Sequence, residues 1–171
     1  LGCLGRMAEQ VEAGGDLAAD DARTAVDFFR TFADRCHHGK EEHRLFPALF
    51  KRGFPREFGP LAVMIEEHEN GRSSVRALDS ALDAVSRGLE YGRGEFSRRG
   101  REYCVLLSDH IRKEDYILFP MAEGVLAEPE KLALIEAFER FDREDIGPDV
   151  HARLEAAAAD LGRRYGVDRR C

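Results

Sequence analysis

The chain of 171 residues falls within the usual size of one domain, and a hydrophobic content of 43% is enough for a buried core. The formal net charge of −7 argues against a phosphate-binding surface, so nucleic acid is not an expected partner. No apolar run approaches the ~20 residues of a membrane span, and no signal peptide is recognisable. The four cysteines are scattered singly. We therefore expect a soluble, cytoplasmic protein with no membrane partner.

The first part of the chain predicts two helices. An apolar 3-4 spacing is already under way at Leu1 and ends before Gly14 and Gly15, so we expect the first helix to lack its beginning, with further residues upstream. A second helix, capped by Asp20, should run to Pro47 or one turn beyond.

The middle of the chain predicts two long helices. Pro60 suits the first turn of the third helix, whose apolar stripe continues to about Gly88. The glycines Gly92 and Gly94 predict the next turn, after which a fourth helix extends to about Met121.

The last part of the chain predicts two shorter helices, over residues 130–141 and 150–161. No segment alternates with period two, so no sheet is expected. The predicted fold is all-α: an antiparallel up-down four-helix bundle over residues 1–125, followed by a C-terminal helical extension over residues 126–171. That extension should pack outside the bundle or against a protein partner or a second copy of the chain.

One motif occurs twice. "HHGKEEHRLFP" starts at His37 and "HIRKEDYILFP" starts at His110, and both copies place a glutamate four residues after the histidine, at Glu41 and Glu114. Residues i and i+4 share a helix face, so each copy presents an imidazole beside a carboxylate. Both pairs lie on the predicted buried stripe, and His68 lies on the corresponding stripe of the third helix.

Buried carboxylates need compensation, because a charged glutamate in a core costs several kcal/mol unless it is paired, protonated or bound to a metal. Imidazole and carboxylate are suitable ligands for iron and similar transition metals, and facing helices of a bundle can aim such ligands at one point. Residues His37, Glu41, His68, His110 and Glu114 are therefore candidate metal ligands. Manganese and zinc would accept the same set.

A single HxxxE pair is commonly a surface ion pair, so either copy alone is weak. Two copies at equivalent heights, each followed by Leu-Phe-Pro, favour a metal site. Four neighbouring side chains are candidates for orienting the ligands: His38, Glu42, Glu67 and Tyr116. For His38 the alternative of being a ligand itself stays open.

These residues resemble the hemerythrin-like, or HHE cation-binding, family of four-helix bundles, from Leu1 to about Met121. The most specific parts are the two motifs above and "EEHENGR" on the third helix. The resemblance implies a non-haem dinuclear iron centre, oxo- or hydroxo-bridged, with terminal ligands His37, His68 and His110 and bridging carboxylates Glu41 and Glu114.

The chain departs from the family pattern at two places. Family members normally carry a histidine on the first helix, which would here lie upstream of Leu1. Oxygen carriers also have a second histidine one turn after the third-helix ligand, where this chain has Arg72. The resemblance therefore points to relatives that respond to iron, oxygen, nitric oxide or peroxide.

Three functional hypotheses follow. The leading one is a di-iron protein that binds a small diatomic or peroxide ligand for sensing, storage or detoxification. The second is a di-iron enzyme acting on peroxide or another small substrate, with chemistry supplied by the metals, because the sequence shows no separate acid–base or nucleophile set. The third is a metal-stabilised regulatory module that binds a partner through the helices after Glu128.

Overall fold

A computed structural model describes residues 1–167, which are helical over almost their whole length and contain no strand. This confirms the predicted all-α class. Six helical runs are present. Their bounds are α1, Gly2–Glu12; α2, Ala19–Phe28 with its continuations Phe29–His38, Glu41–Leu45 and Phe46–Lys51; α3, Pro60–Ser86; α4, Tyr91–Lys113 with its continuations Glu114–Leu118 and Phe119–Val125; α5, Glu128–Phe141 with its continuation Asp142–Ile146; and α6, Pro148–Tyr165.

Two of these runs change their winding where the repeated motifs occur. Phe29–His38 and Glu41–Leu45 in α2, and Glu114–Leu118 in α4, form π-helical turns, which are wider than α-helical turns. Such turns are frequent at functional sites, and apolar periodicity alone does not reveal them.

The predicted turn at Gly92 and Gly94 is wrong, because α4 begins at Tyr91 and both glycines lie inside it. Gly92 serves close packing: a Cβ atom there would lie 2.7 Å from the backbone nitrogen of Val85 on α3. Only a glycine allows the two backbones to approach this closely.

The first four runs contact one another in a closed ring, α1 with α2, α2 with α3, α3 with α4 and α4 with α1. Two apolar clusters fill the interior. One is built around residues such as Leu4, Phe29, Leu78 and Phe96, and the other around residues such as Phe46, Leu49, Met64 and Leu118.

The C-terminal runs pack on the outside of this ring. Run α6 contacts α1 and α2, and its Leu161 joins the first apolar cluster. Run α5 contacts α2, where Phe141 and Ile146 enclose Cys36. The division into residues 1–125 and 126–171 stays a prediction. None of the helices within residues 1–167 is both long and apolar enough to cross a membrane.

Candidate metal centre

The repeated motifs meet between the two apolar clusters. On α2, Phe29 belongs to the first cluster and Leu45 to the second, and the ligand candidates lie between them. His68 lies between Met64 of the second cluster and Val75 of the first. The centre is therefore enclosed by apolar side chains above and below.

Four of the five predicted ligands form one tight group. Glu41, His68, His110 and Glu114 are buried, and each offers a ligand atom within 4.8 Å of the others. His68 Nε2 is 3.2 Å from Glu41 Oε2, and His110 Nε2 is 2.9 Å from Glu114 Oε1. The sequence expectation that both glutamates point inward agrees with these positions.

Neither contact has the geometry of a well-formed hydrogen bond, and neither His68 Nε2 nor His110 Nε2 has another hydrogen-bond partner among residues 1–167. They do match the spacing of two ligands on one cation. With metal–ligand bonds of about 2.1 Å and an angle near a right angle, neighbouring ligand atoms are ~3.0 Å apart.

The fifth predicted ligand, His37, lies at the edge of this group. Its Nε2 is 3.0 Å from Glu114 Oε1 and 3.9 Å from Glu41 Oε2, and its side chain is 40% exposed. Burial alone would lower the pKa of His37, but contact with the two carboxylates raises it above the ordinary value. His37 thus borders the centre and is not part of the inner group.

A sixth side chain, His38, is buried more deeply than His37, with 3% of its surface accessible. Its ring stacks on His68 with centroids 3.9 Å apart and meets His110 edge-on at 5.3 Å. Ligand atoms of His38, His68 and His110 also lie within 4.8 Å of one another.

The polar atoms at this point are suited to a cation. Among residues 1–167, the buried side-chain nitrogens and oxygens without a hydrogen-bond partner all belong to these ligand candidates: both ring nitrogens of His38, both carboxylate oxygens of Glu41, and Nε2 of His68 and of His110. A buried polar group left unpaired costs about 1–3 kcal/mol, so such groups are rare in folded proteins. A bound metal can take one nitrogen from each imidazole and the oxygens of Glu41, so the residues present fit that role.

Two carboxylates orient the inner imidazoles. His68 Nδ1 donates to Glu42 Oε1 at 2.7 Å, and His110 Nδ1 donates to Glu67 Oε2 at 3.0 Å. When Nδ1 carries the donated proton, the Nε2 lone pair faces the centre. Metal-binding histidines are held by carboxylates in this way, which fixes the tautomer and makes the ligand more basic.

Each of these carboxylates is held in turn by a cation. Arg72 donates to Glu42 at 2.5 Å, and Lys113 donates to Glu67 at 2.5 Å. Burial alone would raise the pKa of Glu42, but the hydrogen bonds from His68 and Arg72 lower it to about 2. Glu42 is therefore ionised at neutral pH and accepts a hydrogen bond from His68 Nδ1.

Glu114 shows the same balance. Burial would raise the pKa of its carboxyl, yet contact with His110 and His37 holds the pKa far below its ordinary value. A charged carboxylate faces the centre on this side.

The sequence missed one residue around the ligands, Asp34, and included one wrong candidate, Tyr116. Asp34 lies one turn before His38, with Oδ1 3.6 Å from His38 Nδ1, and accepts a hydrogen bond from Arg72 Nε at 2.9 Å. Its i,i+4 spacing from His38 was the available signal. Tyr116 was predicted as a candidate for orienting ligands, but it is 77% exposed, because it lies two residues after the buried Glu114 and so faces the opposite side of the helix.

Comparison with known proteins supports a cation-binding site. The family model described as "Hemerythrin HHE cation binding domain" matches residues 4–122. Uncharacterized proteins of Mycobacterium bovis and of two Mycobacterium tuberculosis strains are each 23% identical to the chain over 157 residues. Those alignments take in 88% of this chain and 61% of each relative, so the chain spans about three fifths of the relatives' length. No solved structure gives a significant match.

Proposed function

The chain belongs to the hemerythrin HHE cation-binding domain family, and from that membership we propose that it holds a non-haem dinuclear iron centre that binds or responds to oxygen, nitric oxide, peroxide or iron. The observation that carries the proposal is the group of buried, unpaired imidazole nitrogens and carboxylate oxygens between the two apolar clusters. Imidazole and carboxylate together are the ligand types of non-haem iron sites.

We infer two cation positions that share Glu41 and Glu114. The inner one would use His68 and His110, and the outer one would use the partly exposed His37, whose Nε2 lies 3.0 Å from Glu114 Oε1 and 3.9 Å from Glu41 Oε2. Carboxylates in that place can be shared by two ions ~3.5–4 Å apart. The inner position has more protein ligands than the outer one, so we expect the inner cation to bind more tightly.

The directions of α2, α3 and α4 support the proposed antiparallel bundle. Along α2 and α4 the chain passes from the first apolar cluster, through the centre, to the second cluster. Along α3 it passes in the opposite order, from Met64 to Val75. Neighbouring runs of opposite direction, joined by short connections, are typical of an up-down bundle.

Residues of the chain hold the ligands and limit access. Glu42 and Glu67 accept hydrogen bonds from Nδ1 of His68 and of His110. The Nδ1 protons therefore stay on the rings, and the imidazoles bind the metal through Nε2. The two apolar clusters limit water access from above and below the centre, whereas the partly exposed His37 marks the side from which a small molecule can enter. When bound, ferrous iron supplies electrons and a coordination position for such a molecule.

The proposal is tested by anaerobic loading with ferrous iron. The wild-type protein should bind two iron ions per chain and, on exposure to air, develop near-ultraviolet charge-transfer absorption of ferric iron. Glu114→Ala should lose at least one ion and most of that absorption. Glu66→Ala is the matched control, because Glu66 is an exposed glutamate on α3.

A wild-type protein that is folded but retains no iron would contradict the proposal, as would a Glu114→Ala variant with full iron content. Elemental analysis of protein from its own host distinguishes iron from manganese and zinc. Peroxide turnover, partner binding through the C-terminal helices and a cytoplasmic location stay predictions.

A further inference from the structure

His38 is the least satisfied side chain of the centre. It is 3% exposed, and neither of its ring nitrogens has a hydrogen-bond partner within residues 1–167. It does not fill an apolar gap in either of the two large clusters, because its ring faces other imidazoles: it stacks on His68 and meets His110 edge-on.

The surroundings of His38 repeat those of the two inner histidines. His68 and His110 each have a carboxylate at Nδ1, and that carboxylate is held by a cation. His38 has Asp34 at 3.6 Å from Nδ1, and Asp34 is held by Arg72. His38 therefore has the same kind of neighbour near Nδ1 as the other two imidazoles, at a longer distance that leaves both of its nitrogens free of hydrogen bonds.

From this pattern we propose that His38 is a third imidazole ligand of the inner cation, together with His68 and His110; the inference rests on the proposed function. His38 forms one group with His68 and His110, and the same two histidines form a second group with Glu41 and Glu114. In the proposed site, His38 adds a third nitrogen ligand to those of His68 and His110. A site of this composition selects divalent first-row transition metals over magnesium and calcium, which prefer oxygen ligands.

The local winding of α2 makes such a set feasible. His37 and His38 end a π-helical segment, in which consecutive side chains turn through a smaller angle than in an α-helix. Both histidines can therefore reach the centre, His38 from the inner side and His37 from the outer side. An α-helical α2 would direct the two rings further apart.

The test is titration of the metal-free protein with cobalt(II), which reports nitrogen ligands through its visible absorption. The wild-type protein should bind a first cobalt ion whose X-ray absorption shows three imidazoles. His38→Phe keeps a ring that can stack on His68 and removes the nitrogens. It should weaken binding of the first ion by about 10–100-fold and reduce the imidazole count to two.

A second variant and two controls make the result specific. His38→Gln should give the same loss with a smaller, unstacked side chain, and far-ultraviolet circular dichroism confirms that both variants are folded. His37→Phe should weaken the second ion more than the first. His43→Phe should leave both ions unchanged, because His43 is exposed on the same run.

The outcomes separate this inference from the proposed function. If the wild-type protein binds two ions and folded His38 variants bind the first one with unchanged affinity and spectrum, His38 is not a ligand and only this inference fails. If the folded wild-type protein binds no transition metal, both are overturned.

Discussion

Replacing Glu41 with leucine should have opposite effects on the metal-free and the metal-loaded protein. Glu41 is 3% exposed, and neither of its carboxylate oxygens has a hydrogen-bond partner among the described residues. In the metal-free protein this buried carboxylate is therefore poorly compensated. Leucine has a similar volume and needs no partner. His68, the nearest base, keeps its hydrogen bond to Glu42 at 2.7 Å, so the change leaves no unpaired buried cation.

The expected gain in the metal-free protein can be estimated. Replacing poorly compensated buried charge with an apolar side chain of similar volume is often neutral or stabilising by about 1–4 kcal/mol. For a protein of this size each kcal/mol raises Tm by about 2–4 °C. In saturating metal the order should reverse, because a ligand present at 1,000 times its Kd stabilises the folded wild-type protein by about 4.1 kcal/mol, which exceeds the expected gain of the variant.

Thermal unfolding followed by circular dichroism, with chelator and then with excess cobalt(II), measures both effects. Glu66→Leu on the exposed face of α3 is the control, and its Tm should hardly change in either condition. The reasoning would be refuted by a metal-free Glu41→Leu protein that unfolds below the wild type while Glu66→Leu does not.

Two further predictions concern regions outside the ligands. A Cβ atom at Gly39 would lie 2.9 Å from Phe141 Cζ. The control is Gly124, a helical glycine where a Cβ atom would have no other atom within 4 Å. The free energy of unfolding of Gly39→Ala should therefore be about 1–3 kcal/mol lower than that of Gly124→Ala. Denaturant unfolding measures the difference, and equal stability of the two variants would show that Phe141 does not pack on α2 as described. Burial and the charge of Asp21 raise the pKa of Tyr165 to about 12, against about 10 for an unperturbed tyrosine. The stability that the neutral tyrosine contributes is therefore complete below pH 10 and lost between pH 10 and 12. The Tm of Tyr165→Phe should fall less than the Tm of the wild type over that interval. Equal falls of Tm in the two proteins would contradict the raised pKa of Tyr165.

The helices could largely be predicted from the sequence, because apolar spacing and the breaks at glycine and proline are local properties of the chain. Errors occurred where a distant contact decided the outcome. Gly92 is inside α4 because the α3 backbone approaches it, and nothing near Gly92 in the sequence indicates that approach. The π-helical turns of α2 and α4 were missed because apolar spacing does not distinguish a wider turn from an ordinary one.

The centre shows the same division. The HxxxE repeat placed Glu41 and Glu114 on buried faces, and the structure brings both together with His68 and His110. The sequence predicted His37 as the buried side chain, and this is wrong: the His37 side chain is 40% exposed, whereas the adjacent His38 is 3% exposed. Periodicity gives the direction of a side chain around its helix only to within about one residue, and the winding of α2 shifts that direction.

The sequence by itself therefore determined an all-α chain with inward-facing histidines and glutamates on three of its helices, since the identity and spacing of those residues are local. Only the tertiary structure decided which atoms face one another: the hydrogen bonds of Glu42 with His68 and of Glu67 with His110 join different helices. Their formation depends on how the helices are rotated and spaced when both apolar clusters pack, and no single helix contains that information.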